Sequence, residues 1–277
     1  MHDRPYRSAL YIPGSKDRAL DKARDLPVDV ILFDLEDAVA PDAKIGARAT
    51  LKAALGVGGY GSRLTIVRMN GLASPWGFED AAAILTMSCD AVLLPKVNGP
   101  ADIDALAALI PDKSIWAMIE TPAGILSAAE IAAHPRVAGL VLGTNDLAKD
   151  LNSRSRVALM TALQMSVLAA KAAGIIVLDG VYNAFKDDVG LATECAEGRD
   201  MGFDGKTLIH PAQIVICNAI YGPSETEIDL ANRQISAFEA ATDGVVVVDR
   251  KIVENLHIVT AKAILAKAAA IAALEVS

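Results

Sequence analysis

Eight short apolar bursts, separated by segments of helical periodicity, constrain this chain more than any other feature. They are SALYIPG (8–14), VDVILFDLED (28–37), LTIVRMN (64–70), DAVLLPKV (90–97), SIWAMIET (114–121), VAGLVLGTND (137–146), IIVLDGVY (175–182) and GKTLIHP (205–211). Their hydrophobicity is continuous rather than alternating. A strand of that kind has both faces covered, as in a parallel sheet flanked by helices. Helical patterns fall at 15–26, 41–55, 78–88, 101–110, 123–133, 154–173, 185–201 and 211–221. Strand and helix therefore alternate eight times. This predicts an α/β fold, a (β/α)8 TIM barrel, with a doubly wound open sheet as the alternative. No glycine fingerprint follows the first strand, which favours the barrel.

Residues 222–277 do not make a ninth unit. SETEIDLANRQISAFEAA has helical spacing, GVVVVDRKIV (244–253) reads as a strand, and ENLHIVTAKAILAKAAAIAALEV as a long helix. The expected division is a barrel domain over 1–221 and a C-terminal helical appendage over 222–277. A helix with an apolar face needs a partner surface, so the appendage is expected to pack on a neighbouring subunit. GVGGYGS (56–62) precedes a strand and lacks the Gly-Lys-Ser/Thr ending, so it reads as a plain loop.

Composition narrows the function class. The net charge of −8 argues against a nucleic-acid partner, whose backbone demands clustered Lys and Arg. Cys89, Cys195 and Cys217 form no metal or disulfide pattern, so a reducing cytoplasm is expected. The N-terminal MHDRPYRSALYIPGSK has no long apolar core, so it is no signal peptide. No uncharged apolar run reaches about 18 residues, because Lys262 and Lys267 interrupt the Ala-rich C-terminus. No membrane partner is expected.

In a barrel, chemistry sits at the C-terminal ends of the strands. There the otherwise uncharged bursts turn polar: Asp34, Glu36 and Asp37; Arg68 and Asn70; Lys96; Glu120; Asn145 and Asp146; Asp179; His210. Seven strands ending this way describe a polar rim around one pocket. Asp146 alone could be a helix cap. An acid that closes Trp116-Ala117-Met118-Ile119, as Glu120 does, must be paired or bind metal. Together the two suggest a hard cation, Mg²⁺ or Mn²⁺. Zinc would want His or Cys clusters, and His2, His134, His210 and His257 are scattered. Arg68 could pair with Glu36 or Asp37, bind a carboxylate or enolate oxygen, or do both. Lys96 reads first as a structural ion-pair partner, and His210 as a strand-end cap or supporting group.

Seven stretches in order resemble the citrate lyase β-subunit-like family, which includes malyl-CoA and citramalyl-CoA lyases. They are RSALYIPGSKDRALDKA, FDLEDAVAPDAKIGAR, VRMNG, LLPKV, IETPAGIL, GTNDLAKDL and DGVYNAFKDDVGLATECAEGRDMGFDGKTLIHPAQ. The resemblance implies a Mg²⁺-dependent barrel, a homotrimer or homohexamer, acting on a CoA thioester. It places the metal on Glu120 and Asp146, and Arg68 at the thioester or carboxylate oxygens; we count Glu36 and Asp37, the possible partners of Arg68, as candidate catalytic groups with it. It places CoA near Arg7 to Lys16, and we count Lys96 with Arg7 and Lys16 as candidate CoA-binding cations. It also brings the appendage over a neighbour's site to supply an acid. The family pattern there has Asp, followed soon by Pro; this chain has Glu254 and no Pro. A Glu reaches one methylene further, and catalysis is sensitive to displacements of about 1 Å. The stretch VENLHIVTA is similar to the thioesterase branch. Hydrolysis of (3S)-malyl-CoA is thus the expected activity. The alternatives are carbon–carbon cleavage by the same framework, an aldolase acting on free 2-oxo acids, and a silent binding subunit.

Overall fold

The computed structural model describes residues 4–241 and 244–276; His2 lies outside them. Eight parallel strands close into a barrel: β1 (Ser8–Pro13), β2 (Val30–Asp34), β3 (Leu64–Arg68), β4 (Ala91–Leu94), β5 (Ser114–Ile119), β6 (Val137–Leu142), β7 (Ile176–Asp179) and β8 (Gly205–Leu208). Closure comes from β8 returning to β1, with Ser8 opposite Lys206. The covering helices are α1 (Asp17–Lys22), α2 (Lys44–Val57), α3 (Gly77–Ile84), α4 (Pro100–Leu109), α5 (Pro122–Leu126), α6 (Ala128–Ala132), α7 (Thr144–Asp150), α8 (Met160–Ala173), α9 (Asp188–Met201) and α10 (Ile214–Tyr221). The open-sheet alternative is overturned by the closed strand order.

Each expected strand is present, but shorter than its apolar burst. VDVILFDLED contributes only Val30–Asp34 to the ladder, and the rest forms a loop at the barrel mouth. The helix expected at 123–133 is two short helices, α5 and α6, broken at Ser127, whose φ of −96° and ψ of 6° leave the helical region. α7 was not expected; it begins directly after Gly143, inside the burst read as strand.

Strand parity divides the barrel's side chains. Ala9, Leu32, Ile66, Leu93, Trp116, Met118, Val141 and Leu178 fill the interior. Their neighbours Ile31, Phe33, Val67, Ala117, Ile119 and Val177 face the helices. Full burial of each large aliphatic side chain contributes roughly 1.5–3 kcal/mol. Trp116 occupies the space a side chain would need at Gly139, where a Cβ would stand 2.6 Å from its ring.

Beyond α10 lie α11 (Glu225–Glu239), β9 (Val245–Val248), β10 (Lys251–Glu254) and α12 (Asn255–Val276). Ser224 starts α11 with a capping box: its hydroxyl accepts from the Glu227 N–H, and its own N–H donates to the Glu227 carboxylate. The single strand expected at 244–253 is a hairpin instead. Asp249 and Arg250 take φ of 51° and 64°, the left-handed pair a two-residue hairpin turn requires. Arg233 of α11 donates to the Asp249 carboxylate and holds that turn. The hairpin leaves Val245, Val247 and Ile252 exposed.

α12 packs along α11 and reaches the barrel floor, where Leu274 shares a small cavity with Arg7 and Asp29. About 30 Å of helix separates Leu274 from Glu254. By length and composition α12 is apolar enough to cross a membrane. Within this fold Lys267 lies amid the charges of Asp204 and Asp29, beside the barrel floor.

Candidate active site

The C-terminal mouth of the barrel holds a cavity of about 320 Å³, lined by Tyr11, Asp34, Arg68, Met118, Glu120 and Asp146 among others. A larger one of about 710 Å³ adjoins it, bordered by Lys44, Trp76 and Lys96 and sharing Asp37. Every residue lining the two cavities lies at or before Ile209.

Arg68 is the best-held group. β2 and β3 pair with Asp34 opposite Arg68, and both side chains point into the barrel mouth. The result is a bidentate pair: Nε to Oδ1 at 2.8 Å and Nη2 to Oδ2 at 2.6 Å. Nη1 faces Glu36 Oε2 at 3.0 Å and Asp37 Oδ2 at 3.3 Å. The sequence offered Glu36 or Asp37 as its partner. The structure adds Asp34, the strongest contact of the three. Tyr11 lies under the guanidinium, with 4.8 Å from ring centroid to Cζ.

Glu120 is 1% exposed and accepts the Lys96 backbone N–H at 2.8 Å. Burial, the charge of Glu36 and that of Asp146 push its carboxyl up to about 8, against the opposing pull of that N–H and of Arg68. Asp146, in the first turn of α7, lines the same cavity and is partly open to it. Gly143 makes this arrangement possible, because a Cβ there would stand 2.4 Å from Glu120 Cβ and Oε2. A buried carboxylate with this little compensation fits a divalent cation, whose charge would offset its burial. Among the described residues no group of three His, Cys, Asp or Glu could hold a metal. Two carboxylates with water and substrate oxygens suit Mg²⁺, and among the described residues no His or Cys lines this cavity to suit zinc.

Glu36 is buried, which raises its carboxyl pKa despite Arg68 and Lys96. Lys96 is half-exposed, with Nζ 3.2 Å from Glu36 and 3.9 Å from Asp146, so its ion-pair reading holds while it still faces the cavity. Asp37 is largely exposed at the rim. Lys16 is exposed just after β1, on the same face.

Other candidates are placed elsewhere. Arg7 precedes β1 and lies on the opposite face, in a buried bidentate pair with Asp29, so the structure does not bring it to the mouth. Asp179 has the parity that points outward, toward α9, where it pairs with Lys206 at 2.9 Å and Arg156 at 2.8 Å. Burial would raise its carboxyl; those two cations outweigh that and hold it below its ordinary value. Asn70 borders the larger cavity, but its side chain is buried and donates to Asp80. His210 accepts from the Ala212 N–H as a cap and stacks on Phe185. Glu254 is exposed at the end of the hairpin and lines neither cavity. Tyr11 is not among the residues the sequence singles out for the site, and Asp34 stands in the polar rim without a role of its own. Asp34 was visible as a strand-end acid. Tyr11 carried no signal, since an aromatic inside an apolar run reads as core.

The family described as HpcH/HpaI aldolase/citrate lyase matches residues 7–211. A (3S)-malyl-CoA thioesterase of Cereibacter sphaeroides (strain ATCC 17029 / ATH 2.4.9) is 60% identical over 99% of this chain and 98% of its own length. An L-malyl-CoA/beta-methylmalyl-CoA lyase of the same strain is 31% identical over 98% of this chain and 96% of its own. Among solved structures, CitE from Mycobacterium tuberculosis, in complex with magnesium, acetoacetate and coenzyme A, superposes with a TM-score of 0.81 at 28% identity, covering 95% of this chain and 98% of that one.

Proposed function

The chain belongs to the HpcH/HpaI aldolase/citrate lyase family, and from that premise we propose that it is a Mg²⁺-dependent enzyme hydrolysing (3S)-malyl-CoA to malate and coenzyme A. One contrast carries the reading: identity is 60% to the thioesterase and 31% to the lyase of the same strain, both over nearly full length. The buried Glu120, with Asp146 beside it, supports the metal assignment on physical grounds.

Glu120 and Asp146 would hold Mg²⁺, which would supply positive charge to the oxygens of the substrate's hydroxy-acid end. Arg68, fixed by Asp34, Glu36 and Asp37, orients the thioester carbonyl and meets the charge that gathers on its oxygen. Lys16 and Lys96, both exposed at this end of the barrel, are the cations we assign to the CoA arm. Water adds to the thioester carbon, the C–S bond breaks, and CoA leaves as a thiolate that takes up a proton.

A base must activate that water. We assign this to Glu254 from a neighbouring subunit. It is exposed, it ends β10 immediately before α12, and both cavities are lined without it. The reading implies an oligomer, a trimer or hexamer, with residues 222–277 as the part that crosses. Three free, buried cysteines fit a cytoplasmic location.

Carbon–carbon cleavage is the second reading, favoured by the 31% identity to the lyase. The deciding assay offers (3S)-malyl-CoA with Mg²⁺ and measures free thiol and glyoxylate in parallel. Thiol without glyoxylate is the expected result. Glyoxylate without thiol would overturn it in favour of the lyase, and neither product would overturn the substrate assignment.

A further inference from the structure

Tyr11 poses a problem that the site as described does not solve. It stands on β1, inside the mouth, and lines the central cavity. Its hydroxyl is buried and has no hydrogen-bond partner among the described residues. An unpaired buried hydroxyl is destabilising, and a phenylalanine would fill the same space without that cost. A donor kept under those terms calls for an acceptor that arrives from outside.

Most of the side-chain donors around it are already engaged. Arg68 spends Nε and Nη2 on Asp34 and turns Nη1 to Glu36 and Asp37. The Thr207 hydroxyl donates to the Asp179 carbonyl oxygen at 3.0 Å. Asn145 exchanges side-chain hydrogen bonds with Asn183. Asp34, Asp37, Glu120 and Asp146 are acceptors when ionised. An electron-rich oxygen entering this cavity therefore meets few free donors, and the one beside Arg68 is the Tyr11 hydroxyl.

We propose that the Tyr11 hydroxyl donates a hydrogen bond to the carbonyl oxygen of the substrate's thioester and holds it as negative charge gathers there. The assignment rests on the hydrolase reading above. When water adds to the carbon, the carbonyl π electrons move to that oxygen, between Tyr11 and Arg68. They return as the C–S bond breaks. Tyr11 keeps its proton throughout. Burial and the nearby carboxylates push its phenol well above its ordinary value, which suits a donor that is never a base.

Tyr11→Phe tests this on the full-length protein with Mg²⁺. The expected result is a fall in kcat for malyl-CoA hydrolysis on the order of 100-fold, the scale seen when one oxyanion donor is removed. The melting temperature should stay level or rise, because the unpaired hydroxyl is gone. An unchanged kcat overturns the proposal and makes Tyr11 a packing residue.

A second readout needs no turnover. A dethia analogue, with methylene in place of the thioester sulfur, keeps the carbonyl and cannot be hydrolysed. Titrated into protein carrying ¹³C at tyrosine Cζ, it should shift the one resonance that Tyr11→Phe lacks. No shift of that resonance on saturation overturns the proposal. Wild-type protein that releases no thiol overturns the hydrolase reading separately, and the titration still decides the Tyr11 contact.

Discussion

Glu120 carries the sharpest electrostatic consequence at the scale of single residues. Its carboxyl moves from 4.5 to about 8 in the folded chain without metal. The folded state thus retains a proton that the unfolded chain releases near 4.5, so metal-free stability falls as pH rises from about 4.5 to about 8. Glu120→Gln removes that slope. Thermal melts in chelator across this range should show the variant flatter and, near pH 8, more stable than wild type, while calorimetric titration shows Mg²⁺ affinity lost. A variant that binds Mg²⁺ as before would remove Glu120 from the metal site. Much of this was legible in sequence, because an acid ending an apolar strand leaves few structural uses. The partner of Arg68 was legible only in part. Asp34 and Arg68 meet through the β2–β3 register, and that register appears only once the barrel closes.

Parity governs what the strand ends can do. Residues two apart on one strand share a face, so Asp34 and Glu120 reach the mouth while Asp179 reaches the helices. The strands were legible in number and order, since continuous apolar runs specify them. Which end residue points inward was not, because both faces of each strand are apolar. Asp179→Asn should leave Lys206, fully buried, short of one of its two carboxylates, at a cost of about 3–5 kcal/mol in urea unfolding. Because the Asp179 carboxyl is lowered from 3.8, its contribution is present above that value and is lost as pH falls below it. The variant should therefore show less acid sensitivity than wild type in that range. At the β6–α7 junction, Gly143→Ala should weaken Mg²⁺ binding measurably, since its Cβ would displace Glu120. Unaltered affinity would mean the junction yields more easily than a strand end should.

At the level of the whole molecule, the barrel was legible from eight repeats of one pattern, and the C-terminal hairpin was not. GVVVVDRKIV has no glycine or asparagine at its turn, so it read as one strand. Tertiary contact supplied what local preference lacked: Arg233 holds Asp249 in a left-handed conformation. The proposed crossing of Glu254 to a neighbour predicts complementation. Two inactive proteins, one carrying Arg68→Ala and the other Glu254→Gln, should regain activity when co-assembled. Activity no higher than either parent would return Glu254 to its own barrel. The floor anchorage of α12 then acquires a kinetic meaning. A helix of about 33 Å, anchored near Leu274, follows directly on an acid that lines neither mouth cavity of its own chain. A lone chain would load metal and substrate yet stall, so specific activity would fall on dilution, and turnover would become a gauge of how many copies have found one another.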